Sequence, residues 1–413
     1  MVHYRFETNE NNRTMNVNAE LPSVSWIEVI KHIFFTILLG LNIGYVQYLL
    51  FYDQRPFDEE LNLYNQTMMM FYLVAAAVKM AFSVRMFINA NESNFMTIAS
   101  VSLLFLLMKT LSEMFQPPPI SLFIFIYTYV FTSLFLFFQM TALLTNIFVT
   151  KYAVQYKLAD GEEKRKFYML MINAEADAGL VSVLDCYVRA APQLIAQSAI
   201  FLYNNGNSTF FSVRQLISAL VAIIMMPWSI TFFSRSLRAQ QNNKVLKTTT
   251  AVYFMWHFCI MLSRIGSISG AIAVWPQQVG IAILIHCMGA AGWLWWTIEP
   301  LPFCDRNEFW HFLFCIVFGG VYFFAPMNIV SDPTRWRYIY FYLVLFVEDT
   351  LANIVWYYSE NEMKIKTYLI AFNFITFCIG MLFMYIYYKK FHPKTTDNKI
   401  SEKIPLTDIT SVS

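Results

Sequence analysis

The sequence predicts an all-α polytopic membrane protein with about eight transmembrane helices plus re-entrant helices. Of its 413 residues, 57% are hydrophobic and only 14% are charged, whereas about 25% of the residues of a soluble domain are charged. Aromatic residues make up 18% of the chain, and lipid contact accepts them more readily than a soluble core does. A spanning helix needs roughly 20 mainly apolar residues, and eleven stretches approach or exceed that length.

The eleven apolar runs follow one another with short polar linkers between them. Two of them, 168–203 and 336–358, carry several charges and are not simple crossings, so we expect about eight true crossings and some half-depth or re-entrant helices. Eleven crossings would also leave the basic tail on the wrong side of the membrane, and 336–358 is the first candidate for a run that does not cross. The runs are 26–51, 66–89, 97–116, 120–149, 168–203, 211–233, 249–274, 278–298, 309–327, 336–358 and 366–388.

Basic residues orient the array. Lys and Arg cluster in the linkers 150–166 and 234–248 and in the tail after residue 388, whereas the 52–65 loop is acidic. Because cytosolic loops carry an excess of Lys and Arg, we expect both termini in the cytosol.

Ionisable side chains inside the apolar runs are the unusual feature of this sequence. A charge in the middle of a spanning helix costs roughly 2.5 to 3.5 kcal/mol on insertion scales, so such groups face the bundle interior, pair with one another or line a wet path. Lys109 and Glu113, and likewise Asp185 and Arg189, lie four residues apart and are neighbours on one helical face. Such pairs are equally typical of internal ion pairs that fix helix packing. The set comprises Lys31, Lys79, Arg85, Lys109, Glu113, Glu175, Asp177, Asp185, Arg189, Arg264, Glu299, Glu348 and Asp349.

The mixture of charge signs indicates a cargo. A proton or cation path favours acidic groups, whereas a phospholipid headgroup carries an anionic phosphate and often a cationic amine. A groove with both signs suits such a headgroup, while its acyl chains stay in the hydrocarbon. The predicted lipid pathway is lined by Lys109, Glu113, Glu175, Asp177, Asp185, Arg189, Glu348 and Asp349.

Other functional classes find less support. The chain has no GxxxxGK[ST] loop, no HExxH and no GxSxG, so an ATP-driven flippase is not supported and no catalytic pattern is present. We therefore expect that the protein is not an enzyme and that it binds no cofactor. The cysteines lack zinc-site spacing, so no metal is expected, and a net charge of +2 leaves no footprint for nucleic acid. His257 and His286 stand singly in apolar runs, which is more typical of packed residues than of ligands.

Two segments resemble the XK-related family of membrane proteins, whose members include caspase-activated phospholipid scramblases. Residues 185–199 contain an A-P-Q-L-x-x-Q core, and 345–358 contain a V-E-D-T-L-x-N…W-Y segment. The similarity in apolar layout covers roughly 24–390. The motif residues are Pro192, Gln193 and Gln197 in the first segment, and Asn353 and Trp356 in the second.

The resemblance implies eight crossings plus re-entrant helices in two pseudo-symmetric halves, and a plasma-membrane location. It also implies phospholipids as cargo, and as partners a single-pass membrane chaperone subunit or a lipid-transfer protein. Arg189 departs from the family, which often has glutamate three residues before the proline; Asp185 supplies a negative charge one turn earlier. The predicted divisions are a cytosolic N-terminal segment (1–25), a first membrane half (26–203), a second membrane half (204–388) and a cytosolic tail (389–413).

Family scramblases are commonly switched on when a caspase removes an inhibitory terminal segment. Residues 1–25 contain no Asp, so the candidate cleavage sites are Asp397 and Asp408 in the tail. Neither has an Asp four residues upstream, which makes both poor executioner-caspase sites.

Three hypotheses for function follow. The first is an energy-independent phospholipid scramblase that moves lipids, including phosphatidylserine, between leaflets, with a link to apoptosis. The second is a non-transporting membrane scaffold or partner-binding subunit. The third is a secondary transporter of a small polar solute, which also uses midplane charges and broken helices.

Overall fold

The computed structural model describes residues 145–203, 213–240, 247–298, 307–327, 335–359 and 366–390, together with seven single helical positions at 26, 29, 30, 33, 74, 78 and 82. Every regular element in this part of the chain is a helix. Six of its helical stretches are long and apolar enough to cross a membrane. The prediction of a polytopic helical membrane protein is confirmed, while the number of crossings and the division into two halves stay predictions.

The helices follow the predicted apolar runs in order. Helix α1 comprises residues 145–158. The next stretch is α2 (Gly161–Leu184), a π-helical segment (Asp185–Ala190) and α3 (Ala191–Tyr203). Then come α4 (Val213–Gln240), α5 (Lys247–Ile272), α6 (Pro276–Thr297), α7 (Glu308–Tyr322), α8 (Arg335–Tyr357) and α9 (Lys366–Lys390).

Two of these stretches do not match the thickness of a bilayer. The continuous helical segment Gly161–Tyr203 has 43 residues and at 1.5 Å per residue is ~65 Å long, about twice the hydrocarbon core. Helix α7 has 15 residues, or ~22 Å, which is too short to cross. By contrast, the predicted run 336–358 corresponds to helix α8, which is uninterrupted and long and apolar enough to cross. The expectation that this run does not cross stays a prediction.

The predicted polar linkers are largely helical. Helix α1 continues to residue 158, only two residues separate it from α2, and α4 extends to Gln240. Gly161 opens α2 with φ of +61°, a left-handed conformation that glycine adopts without strain. Apolar windows find only the part of a helix that lies in hydrocarbon, whereas Lys, Arg, Glu and Gln are good helix formers and extend it into water.

Helix α5 is the centre of the bundle. It packs against α3, α4, α6, α8 and α9, while α6 packs mainly on α7, and α2 packs on α4. The outer faces of the surrounding helices are apolar and exposed, as in α6 (Leu284, Ile285) and α9 (Ile375, Leu382). Such continuous apolar surface is unsuited to water and fits contact with lipid.

Candidate functional site

Two clusters of buried or partly buried charges stand out among the described residues. The first, which we call the local cluster, consists of Asp185 and Arg189 in the π-helical segment. The second, the interhelical cluster, consists of Arg264, Glu348, Asp349 and His286 on α5, α8 and α6.

The local cluster is a two-point ion pair inside one turn of helix. Nη2 of Arg189 donates to Oδ2 of Asp185 at 2.6 Å, and Nε donates to Oδ1 at 3.1 Å. Both side chains are only 6% exposed, so this parallel pair of charge-assisted hydrogen bonds replaces the hydration that both ions lose. The pairing predicted from the four-residue spacing is confirmed.

Pro192 explains why this turn is π-helical. Proline has no N–H and its ring clashes with the carbonyl four residues back, so an α-helix cannot pass through it undisturbed. Directly before the proline, the N–H of Ala191 donates to the carbonyl of Cys186, five residues earlier. The helix therefore accommodates Pro192 with a π-bulge rather than a break, and π-bulges are frequent at functional sites.

The local cluster continues into a polar stripe along α3. Gln193 and Gln197 follow Asp185 and Arg189 at four-residue spacing, and all four side chains are buried. Residues four apart lie above one another on a helix, so these four line one inward face. In the sequence this stripe is a D-x₃-R-x₃-Q-x₃-Q pattern, of which only the first two residues are charged.

The two acidic residues of α2 lie earlier in the same continuous stretch. Glu175 is buried, whereas Asp177 is partly exposed. Residues two apart on a helix do not face each other. Glu175 and Asp177 therefore point to different sides of α2, and their place on the predicted lipid pathway stays a prediction.

The interhelical cluster is centred on Arg264, whose side chain is 0% exposed. Its Nη1 donates to Oδ1 of Asp349 at 2.6 Å and its Nη2 donates to Oε2 of Glu348 at 2.6 Å. The guanidinium also lies over the ring of Phe323, 4.2 Å from its centroid. One arginine of α5 thus binds two adjacent carboxylates of α8 and an aromatic face, which is the fork geometry that arginine offers and lysine does not.

Arg264 also caps the buried end of the short helix α7. After Tyr322 the chain turns, and residues 323–327 are all buried. The Nε of Arg264 donates to the carbonyl of Phe323 at 3.3 Å, and the hydroxyl of Tyr322 donates to the carbonyl of Met327 at 2.6 Å. A helix end inside an apolar bundle needs partners for its last carbonyls, and the positive charge also complements the negative end of the helix dipole.

His286 extends the cluster to α6. Its Nδ1 lies 2.7 Å from Oε1 of Glu348, and its ring stands perpendicular to that of Phe323 at 5.2 Å. His286 packs against Phe323, as expected of a packed residue, but it also contacts Glu348, a partner 62 residues away that the sequence did not indicate. His257, in contrast, lies fully buried between Tyr253 and Trp256, as expected of a packed histidine.

Next to the interhelical cluster, a network of side-chain amide and hydroxyl groups joins helices α5, α8 and α9. Nδ2 of Asn353 donates to Oγ of Ser267 and to the carbonyl of Asp349, both at 2.8 Å, and Nδ2 of Asn373 donates to Oδ1 of Asn353 at 3.0 Å. The motif residue Asn353 therefore joins α5, α8 and α9. Small polar residues of this kind link transmembrane helices through hydrogen bonds.

Two glycines of α5 permit this close approach. A Cβ at Gly266 would collide with the amide of Asn373, and one at Gly270 with the indole of Trp356. The G-x-x-x-G spacing of Gly266 and Gly270 is the pattern that lets helix backbones come together in membranes. The motif residue Trp356 is thus a buried packing element against α5.

Tyr187 of the π-helical segment contacts residues that neighbour the interhelical cluster in the sequence. Tyr187 donates its hydroxyl to the carbonyl of Met226 at 3.3 Å and to the sulfur of Met261 at 3.1 Å, and its ring lies 5.7 Å from that of Phe324. In the sequence, Met261 lies three residues before Arg264, and Phe324 directly follows Phe323. Tyr187, Met261 and Phe324 therefore lie between the two charged clusters.

Four of the predicted site residues, Lys109, Glu113, Asp397 and Asp408, lie outside the described residues. The Lys109–Glu113 pair and the two candidate cleavage sites stay predictions.

The family comparison agrees with the motif segments that build both clusters. The model of the family "XK-related protein" matches residues 56–393. This chain belongs to the XK-related family. The match includes every helix described above, and the A-P-Q-L and V-E-D-T-L segments of this XK-related chain carry the local cluster and the two carboxylates of the interhelical cluster.

Two curated relatives are similar over part of their length. Cell death abnormality protein 8 of Caenorhabditis briggsae is 29% identical over 250 residues, covering 56% of this chain and 52% of the relative. The protein of the same name from Caenorhabditis elegans is 29% identical over 243 residues, covering 57% and 52%. The chain thus spans about half the length of the curated relatives that it matches.

Proposed function

We propose that this XK-related protein is an energy-independent phospholipid scramblase. The observation that carries the proposal is that buried ions of both signs occur twice in an otherwise apolar helical bundle, once on the π-bulged helix and once between α5, α6 and α8. Charges are retained within membranes where they serve a path for polar groups or pair with one another. A zwitterionic headgroup can exchange with either member of such a pair.

The partly exposed member of each region is the point of entry for a headgroup. The side chain of Glu348 is 32% exposed, more than those of Arg264 (0%), Asp349 (4%) and His286 (11%), and Asp177 is partly exposed on α2. A lipid ammonium group would approach these carboxylates, and its acyl chains would lie against the exposed apolar faces of α6 and α8. The headgroup would cross by exchanging partners, which needs no energy source.

The biological setting is proposed by analogy. The relatives are named for cell death, and phosphatidylserine exposure at the plasma membrane is the form of lipid scrambling that fits that name. We also propose that both termini of this chain lie in the cytosol. Its proposed partners are a single-pass membrane subunit or a lipid-transfer protein.

One observation favours the scaffold hypothesis. Each of the three guanidinium nitrogens of Arg264 donates to a protein partner, namely the Phe323 carbonyl, Asp349 and Glu348. An arginine bound in this way can hold helices together without any need for lipid. A non-transporting, partner-binding membrane subunit is therefore the second candidate function.

Lipid movement by the purified full-length protein in liposomes tests the proposal. Fluorescent phospholipids in both leaflets are exposed to a membrane-impermeant quencher, and scrambling takes the quenched fraction beyond the half that a protein-free bilayer allows. A parallel sample is truncated after Lys390, where α9 ends. Quenching above one half only after truncation would make the tail an inhibitory segment and Asp397 the first cleavage candidate to test. Quenching confined to one half in both samples would favour the scaffold.

Two conservative variants separate a path from a packing role. Asp185→Asn and Glu348→Gln keep side-chain volume but remove charge, and we expect each to slow lipid movement more than it lowers expression. Glu308→Gln is the matched control, because Glu308 is exposed at the first turn of α7 and should change neither. Equal losses of expression and lipid movement in the first two variants would show that these carboxylates are structural.

A further inference from the structure

The interhelical cluster lacks one positive charge. Arg264 is its only permanent cation, and Glu348 and Asp349 supply two carboxylates at 2.6 Å from the same guanidinium. If His286 is neutral, the cluster carries a net charge of −1 among buried apolar helices. An uncompensated charge in such surroundings is costly, and buried groups respond by binding a counter-charge or by changing protonation.

A second observation shows the same deficit. Oδ2 of Asp349 is buried and has no hydrogen-bond partner in the part of the chain that the structure describes. A buried carboxylate oxygen normally accepts hydrogen bonds, since leaving it unsatisfied costs its full desolvation energy. Arg264 therefore compensates the charge of Asp349 at one carboxylate oxygen only.

The geometry limits what can supply the missing charge. The guanidinium of Arg264 already occupies the space between the two carboxylates. Among the described residues no group of three or more His, Cys, Asp or Glu side chains is placed to hold a metal ion. The imidazole of His286 is already in hydrogen-bond contact with Glu348 and is 11% exposed, so it can exchange a proton with its surroundings.

We propose that the interhelical cluster is a binding site for one exchangeable proton, carried by His286 in its hydrogen bond to Glu348. With this proton bound, two cations balance two carboxylates and the cluster is neutral. Without it the cluster has an excess negative charge and favours water or another cation. The ligand of this site is thus a proton, in exchange with a cation of similar charge.

The proton also strengthens the contact between two helices that share α5 as a neighbour but otherwise pack on different helices. Helix α6 packs on α7 and α5, whereas α8 packs on α5 and α9. The His286–Glu348 contact joins α6 to α8 directly, on the side where Glu348 is partly exposed. Loss of the proton weakens this contact and opens the cleft between α6 and α8, and in this respect the inference rests on the proposed function.

A proton on Asp349 would balance the same charges, but an imidazole is intrinsically more basic than a carboxylate, so the proton resides on the histidine. On α6 the neighbouring group is the Cys287 thiol, and on α7 the histidine faces the ring and backbone of Phe323. His311 packs under Trp295, more than two turns further along α6. The charged groups that meet at His286 are Glu348, with which it is in contact, and Arg264 and Asp349, which are paired with each other beside Glu348. His257, His311 and Tyr322 on the packed helices contact other partners.

Nitrogen NMR of ¹⁵N-histidine-labelled full-length protein tests the proton directly. The chain has six histidines, and the His286 signal is the one absent from His286→Gln. We expect it to be that of an imidazolium at pH 7 in the wild type and that of a neutral imidazole in Glu348→Gln, where one carboxylate fewer removes the charge deficit. A neutral His286 in the wild type at pH 6 and at pH 7, or the same protonation state in Glu348→Gln, would overturn the proposal.

The rate of lipid movement as a function of pH tests the effect of this proton on the contact between α6 and α8. Because loss of the proton removes the positive charge that holds His286 to Glu348, we expect the wild-type rate to rise at least about threefold from pH 6 to pH 8. His286→Gln, which keeps a hydrogen-bond donor but does not titrate, should lose this dependence, and His392→Gln in the tail should keep it. A pH dependence that survives in His286→Gln would overturn this effect of the proton, whereas absence of lipid movement at every pH would contradict the proposed function and leave the NMR result to decide the proton site.

Discussion

The local cluster and the interhelical cluster both bury an arginine together with carboxylates, but the charges are brought together in different ways. Asp185 and Arg189 lie on one helical turn, and their pairing needs only the π-helical segment itself. Arg264 reaches carboxylates 84 and 85 residues away, and His286 reaches Glu348 across 62 residues. The first arrangement can form as soon as its helix forms, whereas the second exists only when α5, α6, α7 and α8 are assembled.

The comparison shows that similar buried ion pairs have different dependence on the fold. A single helix bears the strain of the local cluster through the π-bulge next to Pro192. The interhelical cluster is supported by close backbone contact at Gly266 and Gly270 and by the Asn353 network. We expect that disturbing the interhelical cluster affects the whole bundle, and that disturbing the local cluster affects mainly its own helix.

The largest effect is expected from removing the central arginine. Arg264→Met leaves two buried carboxylates without their cation, and breaking a buried ion pair costs about 3–5 kcal/mol. We expect little monodisperse protein by size-exclusion chromatography in detergent. The matched variant Arg189→Met, which removes an arginine that pairs within its own turn, should retain clearly more. A yield from Arg189→Met equal to or below that of Arg264→Met would reverse the proposed order of the two clusters.

Exchanging the charges of each pair tests the same difference more sharply. In Asp185→Arg/Arg189→Asp the two side chains remain neighbours on one turn, and the reversed orientation relative to the helix dipole costs only about 0.5 kcal/mol. In Arg264→Asp/Asp349→Arg the arginine would stand beside Glu348 on α8, and the Phe323 carbonyl would lose its donor, at a cost of about 2–5 kcal/mol. Thermal unfolding in detergent measures both, and equal stability of the two exchanged proteins would contradict the distinction.

A smaller effect is expected where α5 meets α8. Gly270→Ala pushes a methyl group into the indole of Trp356, and overpacking of this kind typically costs about 1–3 kcal/mol. Gly289→Ala on α6 is the control, because nothing lies within 4 Å of the added carbon and alanine favours the helix by up to about 1 kcal/mol. The unfolding midpoint should fall in the first variant and stay or rise in the second. A midpoint unchanged in Gly270→Ala would show that the α5–α8 contact is looser than described.

The smallest effect is expected from the amide network. Asn353→Leu removes donors to Ser267 and to the Asp349 carbonyl and leaves the Asn373 amide without its acceptor, at a cost of about 1–2 kcal/mol. Thr350→Val on the same helix removes only a hydrogen bond to a carbonyl of its own turn, Phe346, and should be close to neutral. The two unfolding curves, measured under the same conditions, should differ, and coincident curves would mean that Asn353 does not join the helices energetically.

Much of the architecture followed from the sequence because it depends on local chemistry. Each of the seven apolar runs after residue 166 corresponds to a helix, since a backbone in hydrocarbon must satisfy its hydrogen bonds within its own segment. The Asp185–Arg189 pair followed from a four-residue spacing for the same reason. The helices extend beyond the predicted apolar runs because helix propensity continues past the apolar part of each run.

The tertiary structure alone decided the partners of Arg264 and His286. In the sequence Arg264 was one intramembrane charge among thirteen, and His286 resembled a packed residue. Which carboxylate meets which cation depends on the rotation and depth of α5, α6 and α8, and these are set by the close approach at Gly266 and Gly270 and by the buried end of α7 at Phe323. A one-dimensional pattern fixes which faces of a helix are polar or apolar, because that follows from helical periodicity. It does not fix which of these faces meet, because that follows from packing among helices that are far apart in the chain.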